Sequence, residues 1–310
     1  MERNTQSGPA SISKDVRNTN RIPFIRTGVA GVLMGLANLV PGVSGGTMVL
    51  VMGLYEQFVS AIADLTRFRF TRKSLLFIGL LVLAAAIAIG ACSGVMSHLV
   101  TTRRSAMFSL FIGMTLGGAP LLYGMVKPLK GSAVIGLVLG LGLMVVIAGT
   151  KPDKPQPAEG REAVEVIEPS YARDVAAGAV GMSAMVLPGI SGAYMLLVLG
   201  RYEAILAAVH QVSKFVVSAG QKGDLGTAMP VIIPVAIGAI IAMVGLSNFL
   251  KWMLHRHPRV MLGFLLGVLL GSVIGIWPFD AGAATRDYVI GVALAIAGFV
   301  ATTILSRLKM

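Results

Sequence analysis

Charged residues are scarce in this chain. Only 13% of its 310 residues are Asp, Glu, Lys or Arg, against roughly 25% in a typical soluble domain, and 55% are hydrophobic. This balance excludes an ordinary soluble domain and indicates an integral membrane protein. The single cysteine, Cys92, also excludes an intrachain disulfide.

Acidic residues are the scarcer of the two charged classes, with 14 Asp and Glu against 26 Lys and Arg. The basic residues lie mainly in short gaps between apolar runs, where they orient a protein in a bilayer, so we expect no nucleic-acid partner. The sequence contains no Walker A phosphate-binding loop, and its histidines lack the paired carboxylates of a metal site. We therefore expect no ATP-dependent chemistry, no cofactor and no metal.

Eight apolar runs divide into two kinds. Six are long enough to cross a bilayer once, which takes about 20 residues; they cover 74–99, 105–125, 131–149, 228–250, 260–277 and 288–305. The other two, 28–62 and 175–209, are too long for one straight span and are interrupted near the middle by Pro-Gly. Because proline removes a backbone donor and glycine tolerates a turn, we predict two re-entrant hairpins, each of two half-helices.

The two interrupted runs are copies of one another. Asn38-Leu-Val-Pro-Gly-Val-Ser-Gly-Gly-Thr47 matches Leu187-Pro-Gly-Ile-Ser-Gly192 at an offset of 147 positions, and the offset also holds for Gly-x-Tyr-Glu at 53–56 and 200–203. Gly113 and Gly117 match Gly267 and Gly271 at an offset of 154. Each half then has one hairpin and three spans, and an odd number of crossings inverts the second half.

The predicted fold is therefore an all-α integral membrane protein with an inverted-topology repeat, six full transmembrane helices and two re-entrant helical hairpins. Its predicted segments are a disordered cytoplasmic tail (1–27), a first repeat (28–150), a linker loop (151–174) and a second repeat (175–310). The numbers of Lys and Arg on each side do not distinguish hairpins from full spans; the tight basic cluster at 67–73 favours hairpins. Both topologies place the two termini in the cytoplasm.

The two Pro-Gly tips predict an anion site. Ser44, Gly45, Gly46 and Thr47 in one copy, and Ser191 and Gly192 in the other, begin the second half-helices and so offer free N–H groups and hydroxyls. Asn38 is expected to bond either a tip hydroxyl or the interrupted backbone. The competing interpretation is two tightly packed kinks that bind nothing.

Five charged residues near the hairpins are candidates for coupling or gating. Glu56 and Glu203 either carry a coupling proton, or bond the neighbouring tyrosines or cap a helix end. Arg201, present only in the second copy, either snorkels to the surface or meets an anionic headgroup. Arg26 and Arg173 precede the two hairpins and either receive an anion or anchor the helices at the interface.

These motifs resemble the polyprenyl-phosphate transporter family, whose two halves each carry a Pro-Gly-x-Ser-Gly tip. The resemblance extends over about 24–306 and rests on Asn38–Thr47, Leu187–Gly192 and the two Gly-x-Tyr-Glu segments. It implies a multi-pass protein of the bacterial cytoplasmic membrane that returns undecaprenyl phosphate, the lipid carrier of cell-wall synthesis, to the cytoplasmic leaflet. The second tip departs from the first by having Ala193 and Tyr194 in place of Gly46 and Thr47, so the resemblance does not imply equal roles for the two tips.

On this hypothesis the two tips hold the phosphate during alternating access, membrane lipids surround the protein, and a proton is a candidate coupling ion. Two alternatives remain open. One is an enzyme resembling undecaprenyl-diphosphate phosphatase, although glycine follows the serine in both tips and no acidic cluster precedes them. The other is a channel or transporter for small anions.

Overall fold

The computed structural model describes residues 24–40, 42–150, 169–218, 223–279 and 284–307. The predicted tail and linker lie largely outside these ranges. The described residues form thirteen helices and no strand. The helices are α1 (Phe24–Asn38), α2 (Gly45–Val51), α3 (Tyr55–Thr66), α4 (Arg72–Thr102), α5 (Arg104–Leu116), α6 (Ala119–Val126), α7 (Gly131–Gly149), α8 (Tyr171–Val186), α9 (Gly192–Val198), α10 (Tyr202–Val217), α11 (Leu225–Arg256), α12 (Pro258–Gly275) and α13 (Thr285–Arg307).

Six spans are long and apolar enough to cross a membrane, which confirms the predicted six. They are α4, α5 with α6, α7, α11, α12 and α13. Residues 117 and 118, both glycine, interrupt the second span between α5 and α6. Large aliphatic side chains such as Leu83, Ile135 and Ile240 are exposed on these spans, as is usual for residues that face lipid.

Close backbone contacts at glycine define the helix pairs. Within each half, α1 packs on α4 and α8 packs on α11. Between the halves, α5 packs on α13 and α7 packs on α12. A Cβ added to Gly136 would lie 2.0 Å from the carbonyl oxygen of Val260, and one added to Gly113 would lie 1.9 Å from that of Ala295. These approaches are possible only without a side chain, which is the usual role of small residues between membrane helices.

The order of these contacts gives the relative direction of the paired helices. Along α7, positions 136, 140 and 144 meet positions 260, 264 and 271 of α12 in the same order. Along α5, positions 109, 113 and 117 meet positions 291, 295 and 299 of α13 in the same order. Both of these pairs between the halves are therefore parallel.

The two copies of the motif have the same local structure, but each consists of three helices rather than two. Helices α2 and α9 run over 45–51 and 192–198, which are related by the sequence offset of 147. The second half-helix of the predicted hairpin is broken again at Gly53 and Gly200, whose φ angles are 67° and 63°. In the second copy α9 and α10 meet at an angle of 119°. The prediction of two half-helices per hairpin was wrong in this respect, because Gly-x-Tyr-Glu ends one helix and begins another.

Candidate functional site

In each Pro-Gly tip, the chain turns at a glycine with a left-handed backbone conformation. The φ angles of Gly42 and Gly189 are 88° and 87°. Residues with a Cβ rarely adopt such φ values, because the Cβ would crowd the following carbonyl group. Ser44 and Ser191 then adopt extended conformations as the N-caps of α2 and α9. The two copies thus present the same backbone shape at the candidate site.

The two tips contact one another directly. Ser44 Oγ donates a hydrogen bond to the carbonyl oxygen of Leu187 at 3.2 Å, and the backbone N–H of Gly189 donates to Thr47 Oγ1 at 2.8 Å. The Tyr55 hydroxyl adds a third link by donating to the carbonyl oxygen of Val186 at 3.3 Å. All three side chains come from the first copy, and all three backbone groups come from the second.

A small cavity lies where the tips meet. Its volume is about 20 Å³, which is room for one water molecule but not for a phosphate group. The turn glycines of both copies line it, with Ser191 and Tyr194 of α9, the last turns of α7 and the end of α12. The described residues that line the cavity include no charged side chain; they are Gly42, Met144, Ile147, Ala148, Gly189, Ile190, Ser191, Tyr194, Ser272, Gly275 and Ile276.

The turns lie at different levels of the bundle. A Cβ on Gly189 would contact Val268, in the middle of α12, whereas one on Gly42 would contact Ile276, just beyond its end. A Cβ on Gly189 would also contact Ser272, so four to eight residues separate the contacts of the two turns, or about 6–12 Å along the axis. The first turn therefore lies closer than the second to the end at which α7 and α12 finish.

The glycines that follow the tips are packed against the chain itself. The position of a Cβ on Gly45 lies 2.7 Å from Asn38 Oδ1, and that of one on Gly46 lies 3.0 Å from the carbonyl oxygen of Met185. A Cβ on Gly192 would likewise approach Met185 Cγ at 2.8 Å. Gly46 therefore permits the close approach of one tip to the other, whereas Gly45 and Gly192 make room for Asn38 and Met185 of their own copies.

The two short helices differ sharply in burial. Every residue of α2 is buried, whereas no residue of α9 is. Thr47 is fully enclosed, but Tyr194, which occupies the matching position, is half-buried and donates its hydroxyl to the carbonyl oxygen of Thr150 at 3.0 Å. Ser191 accepts a hydrogen bond from the N–H of Tyr194 at 3.4 Å. The difference therefore lies in the short helices, since the second turn itself is buried at Gly189, Ile190 and Ser191.

Glu56 and Glu203 begin α3 and α10, and both side chains are exposed. They lie just beyond the breaks at Gly53 and Gly200. The hydroxyl of Tyr55 bonds Val186 rather than Glu56. A carboxylate in the first turn of a helix is stabilised by the positive end of the helix dipole, which fits the interpretation that these residues cap a helix end.

Arg201 neither snorkels nor faces an open surface. Its Nη2 lies 2.6 Å from Asp174 Oδ1, and the exposed fractions of the two side chains are 7% and 0%. Asp174 Oδ2 also accepts the backbone N–H of Ser170 at 3.0 Å. Sequence reasoning missed Asp174, although a signal existed: the matching positions of the first copy are Thr27 and Leu54, so both charges appear together in one copy only.

Arg26 and Arg173 fold back over the glycines that end the short helices. Arg26 Nη2 lies 2.9 Å from the position of a Cβ on Gly53, and Arg173 Nη2 lies 3.7 Å from that on Gly200. Arg26 is half-buried, and its Nε is enclosed without a hydrogen-bond partner among the residues that the structure describes. Arg173 is exposed. Neither arginine lines the cavity between the tips.

Comparison with known proteins gives one family and two curated relatives. Residues 34–293 match the family model described as "Undecaprenyl phosphate translocase-like". The chain is similar to a polyprenyl-phosphate transporter of Vibrio cholerae, with 27% identity over 275 residues, which covers 85% of this chain and 80% of the relative. It is also similar to a polyprenyl-phosphate transporter of Staphylococcus aureus, with 27% identity over 285 residues and coverage of 90% and 94%.

No solved structure matches the chain. The family match includes both tips, both short helices and most of the six spans. The resemblance expected from the two Pro-Gly-x-Ser-Gly motifs is thereby confirmed. The chain belongs to the undecaprenyl phosphate translocase-like family.

Proposed function

We propose that this protein carries polyprenyl phosphate, and specifically undecaprenyl phosphate, across the bacterial cytoplasmic membrane, so that the carrier lipid can be reused in cell-wall synthesis. Both curated relatives are named polyprenyl-phosphate transporters, and the similarity covers most of each chain. The six spans supply a membrane-embedded body of the kind that such a flippase needs.

One observation carries the proposal of a site: the two tips share a cavity and bond each other through groups that also suit a phosphate. The Ser44 hydroxyl and the Gly189 N–H are donors that now bond within the protein, and Ser191 stands at the cavity with its hydroxyl. A phosphate bound by such neutral donors needs no charged partner. The proposed phosphate ligands are Ser44, Gly45, Gly46, Thr47, Ser191, Gly192 and Asn38.

The cavity volume of about 20 Å³ makes this conformation a closed one on the proposal. For a headgroup to enter, the tips must separate, which breaks the bonds from Ser44 to Leu187 and from Gly189 to Thr47. The phosphate then takes the place of the groups that leave, so that donors freed by opening are not left unpaired. The isoprenoid tail stays in lipid throughout, and only the charged headgroup has to be desolvated.

The parallel contacts between the halves support an inverted repeat. If α7 returns across the membrane after α5 and α6, it runs opposite to them. Helix α12 is the counterpart of α5 in the second half, yet it lies parallel to α7. Corresponding spans of the two halves would then point in opposite directions, as alternating access between two related halves requires. Both termini face the cytoplasm in this arrangement, and the tips belong to re-entrant segments.

The lining of the cavity favours a carrier over a phosphatase, and a flux measurement separates the carrier from a channel. A phosphatase acting on a diphosphate needs an acid or base, and a group to stabilise the developing charge. The described lining residues offer hydroxyls, glycine and aliphatic side chains instead. Chloride or inorganic phosphate has no tail to accommodate, so flux of these ions without flux of the lipid would favour the channel.

The test uses full-length protein in liposomes that contain a polyprenyl monophosphate and receive an impermeant phosphatase from outside. Without transport, only lipid in the outer leaflet is hydrolysed; with transport, lipid from the inner leaflet follows. We expect complete hydrolysis with the wild-type protein and slow hydrolysis of the inner pool with Ser191→Ala. Release of phosphate from undecaprenyl diphosphate by the protein alone, lost in Ser44→Ala, would instead indicate the enzyme.

Proton coupling requires a separate measurement, because Glu56 and Glu203 are exposed. The same assay is run with and without an imposed pH gradient, for wild type and for Glu56→Gln with Glu203→Gln. A rate that follows the gradient in wild type and not in the double variant would support coupling through these carboxylates. Equal rates in every condition would remove the proton from the mechanism.

A further inference from the structure

One end of the bundle collects basic residues from three segments. Helices α3 and α11 finish together there, where Lys251 Nζ lies 2.9 Å from Asp64 Oδ1 and Asn248 Nδ2 donates to Thr66 Oγ1 at 3.2 Å. Helix α4 begins shortly after α3, and α12 begins shortly after α11. The first turns of α7 pack on the first turns of α12, where Gly136 meets Val260. We call residues 64–73, 127–131 and 247–260 the basic end.

The basic end has a large excess of positive charge. Its three segments contain nine Lys and Arg and one carboxylate, that of Asp64. This carboxylate already has two partners, since Oδ1 pairs with Lys251 and Oδ2 accepts the hydroxyl of Ser74 at 3.2 Å. Arg67, Arg69 and Arg72 are exposed and form no ion pair with another described residue. The positive charge therefore faces outward.

The loop that carries these arginines is held in shape by Asp64 and its neighbours. The N–H of Arg69 donates to the carbonyl oxygen of Asp64 at 2.9 Å. Thr71 caps α4 by accepting the N–H of Ser74 at 3.1 Å. A loop with this many internal bonds presents its side chains in a fixed arrangement, which lowers the entropy lost on binding.

Aromatic rings alternate with the arginines in this loop. Phe68 and Phe70 are 83% and 60% exposed, and their rings meet edge to face with centroids 6.2 Å apart. Phe68 has a φ of 57° and is, among the described residues, the one non-glycine with a positive φ. Phe68 follows the C-cap of α3, and its N–H donates to the carbonyl oxygen of Leu65 at 3.0 Å, so this left-handed residue closes the helix end and holds its ring outward. The rings lie next to Arg72, at which the α4 span begins, and hence at the boundary of the hydrocarbon layer.

We propose that the basic end binds the headgroups of anionic phospholipids of the surrounding membrane. Arg67, Arg69 and Arg72 contact the lipid phosphates, while Phe68 and Phe70 lie among the upper parts of the acyl chains. The alternation of cationic and apolar side chains matches a surface that is itself charged outside and apolar beneath. A soluble acidic partner would satisfy the arginines but leave both rings in water, so the observations favour lipid.

The second copy does not repeat this loop, because its matching positions belong to the last turn of α10. Counting 147 positions on from Arg67, the chain reads Lys214-Phe215-Val216-Val217, with a single basic residue. The lipid site is accordingly a property of one end of the molecule and does not depend on which substrate crosses between the tips.

The two tryptophans allow a direct test. Trp252 lies at the basic end, 53% exposed beside Phe249, whereas Trp277 follows α12 at the other end of that helix. In the Trp277→Phe protein, Trp252 is the single reporter, and lipids with brominated chains quench it on contact. Nanodiscs are prepared with increasing fractions of brominated phosphatidylglycerol or brominated phosphatidylcholine. We expect half-quenching at an at least fivefold lower fraction of phosphatidylglycerol, the effect of about one basic residue near an anionic surface.

Substitution separates charge from structure in this assay. We expect the preference for phosphatidylglycerol to be lost in a triple variant with Arg67→Gln, Arg69→Gln and Arg72→Gln. We expect it to be kept when the same three arginines are replaced by lysine. The matched control, Arg103→Gln with Arg104→Gln and Arg286→Gln, removes three exposed arginines from the other end of the bundle and is expected to leave it unchanged.

Equal quenching by the two lipids at every fraction would overturn the proposal, as would loss of the preference in the lysine variant. A third outcome also counts against it. If unlabelled farnesyl phosphate restored the fluorescence and unlabelled phosphatidylglycerol did not, the basic end would be a substrate site and not a site for bulk lipid.

Discussion

The two copies of the tip unit share a backbone but have opposite surroundings. Their turn glycines have φ angles of 88° and 87°, and their short helices begin at matched positions. Yet α2 is completely buried, while no residue of α9 is. A duplicated element is thus enclosed in one copy and half-buried in the other. If the tips separate as proposed, α9 has less packing to lose than α2.

The two copies also differ in whether they enclose charged side chains. The second copy encloses the pair of Asp174 and Arg201, and the first has Thr27 and Leu54 at the matching positions. A buried ion pair in a membrane protein is costly to desolvate, and its loss by halves leaves a charge without compensation. The first copy therefore provides a natural replacement with which to test what the pair contributes.

The largest effect is expected from breaking this pair. Asp174→Ala leaves the guanidinium of Arg201 enclosed, and we expect a loss of about 3–5 kcal/mol in the free energy of unfolding. Asp174→Thr with Arg201→Leu installs the pair of the first copy and is expected to regain most of that loss. Denaturation of the full-length protein in detergent measures both. A double variant as unstable as the single one would show that the second copy needs the charges themselves.

The next effect concerns the position at which the copies differ most, Thr47 and Tyr194. Thr47→Val removes the acceptor of the enclosed N–H of Gly189, and an unsatisfied buried donor costs about 1–3 kcal/mol. Tyr194→Phe removes a hydrogen bond to Thr150 that is open to the surroundings, so we expect a smaller loss of unfolding free energy. Comparable losses in the two variants would mean that burial does not separate the roles of the two tips.

Substitution of the two turn glycines tests whether the turns are structurally equivalent. Gly42→Ala and Gly189→Ala each force Cβ into a left-handed conformation, and we expect about 1–2 kcal/mol from this cause in each variant. The Cβ at 42 meets Ile276 Cγ2, an end of a side chain, and that at 189 meets the backbone oxygen of Val268. Gly189→Ala should therefore be slightly the worse of the two in thermal denaturation. A difference several times larger would show that the turns are not equivalent.

Much of this comparison could be anticipated from the sequence, and the limits are instructive. The duplicated glycines predicted the turns, because a left-handed backbone conformation depends on the residue itself. The six apolar runs predicted the spans. The second break was missed, although Gly53 and Gly200 occur in both copies. As at the first break, a glycine with a positive φ interrupts the helix, but no proline adjoins it to indicate a break in the sequence.

What local sequence did not predict is the burial of each copy. Whether α2 or α9 is enclosed depends on the helices that pack around it, and those contacts join residues more than a hundred positions apart, as between Ser44 and Leu187. The partner of Arg201 was also hidden, since Asp174 lies 27 residues away and only the fold brings the two together. Comparing the copies position by position would have revealed the pair, because both charges depart from the first copy together.

The smallest effect on stability, and the sharpest separation of function, is expected at the two serines. Ser191 caps α9 by accepting the N–H of Tyr194, so Ser191→Ala should cost about 0.5–1 kcal/mol of unfolding free energy, and Ser44→Ala a similar amount through its bond to Leu187. On the proposed function, however, only Ser191 lines the cavity. Transport of polyprenyl phosphate in liposomes should consequently fall further in Ser191→Ala than in Ser44→Ala, although the two proteins unfold at nearly the same temperature. The reverse order of transport rates would place the headgroup against the buried tip, and the buried α2 would then have to open before α9.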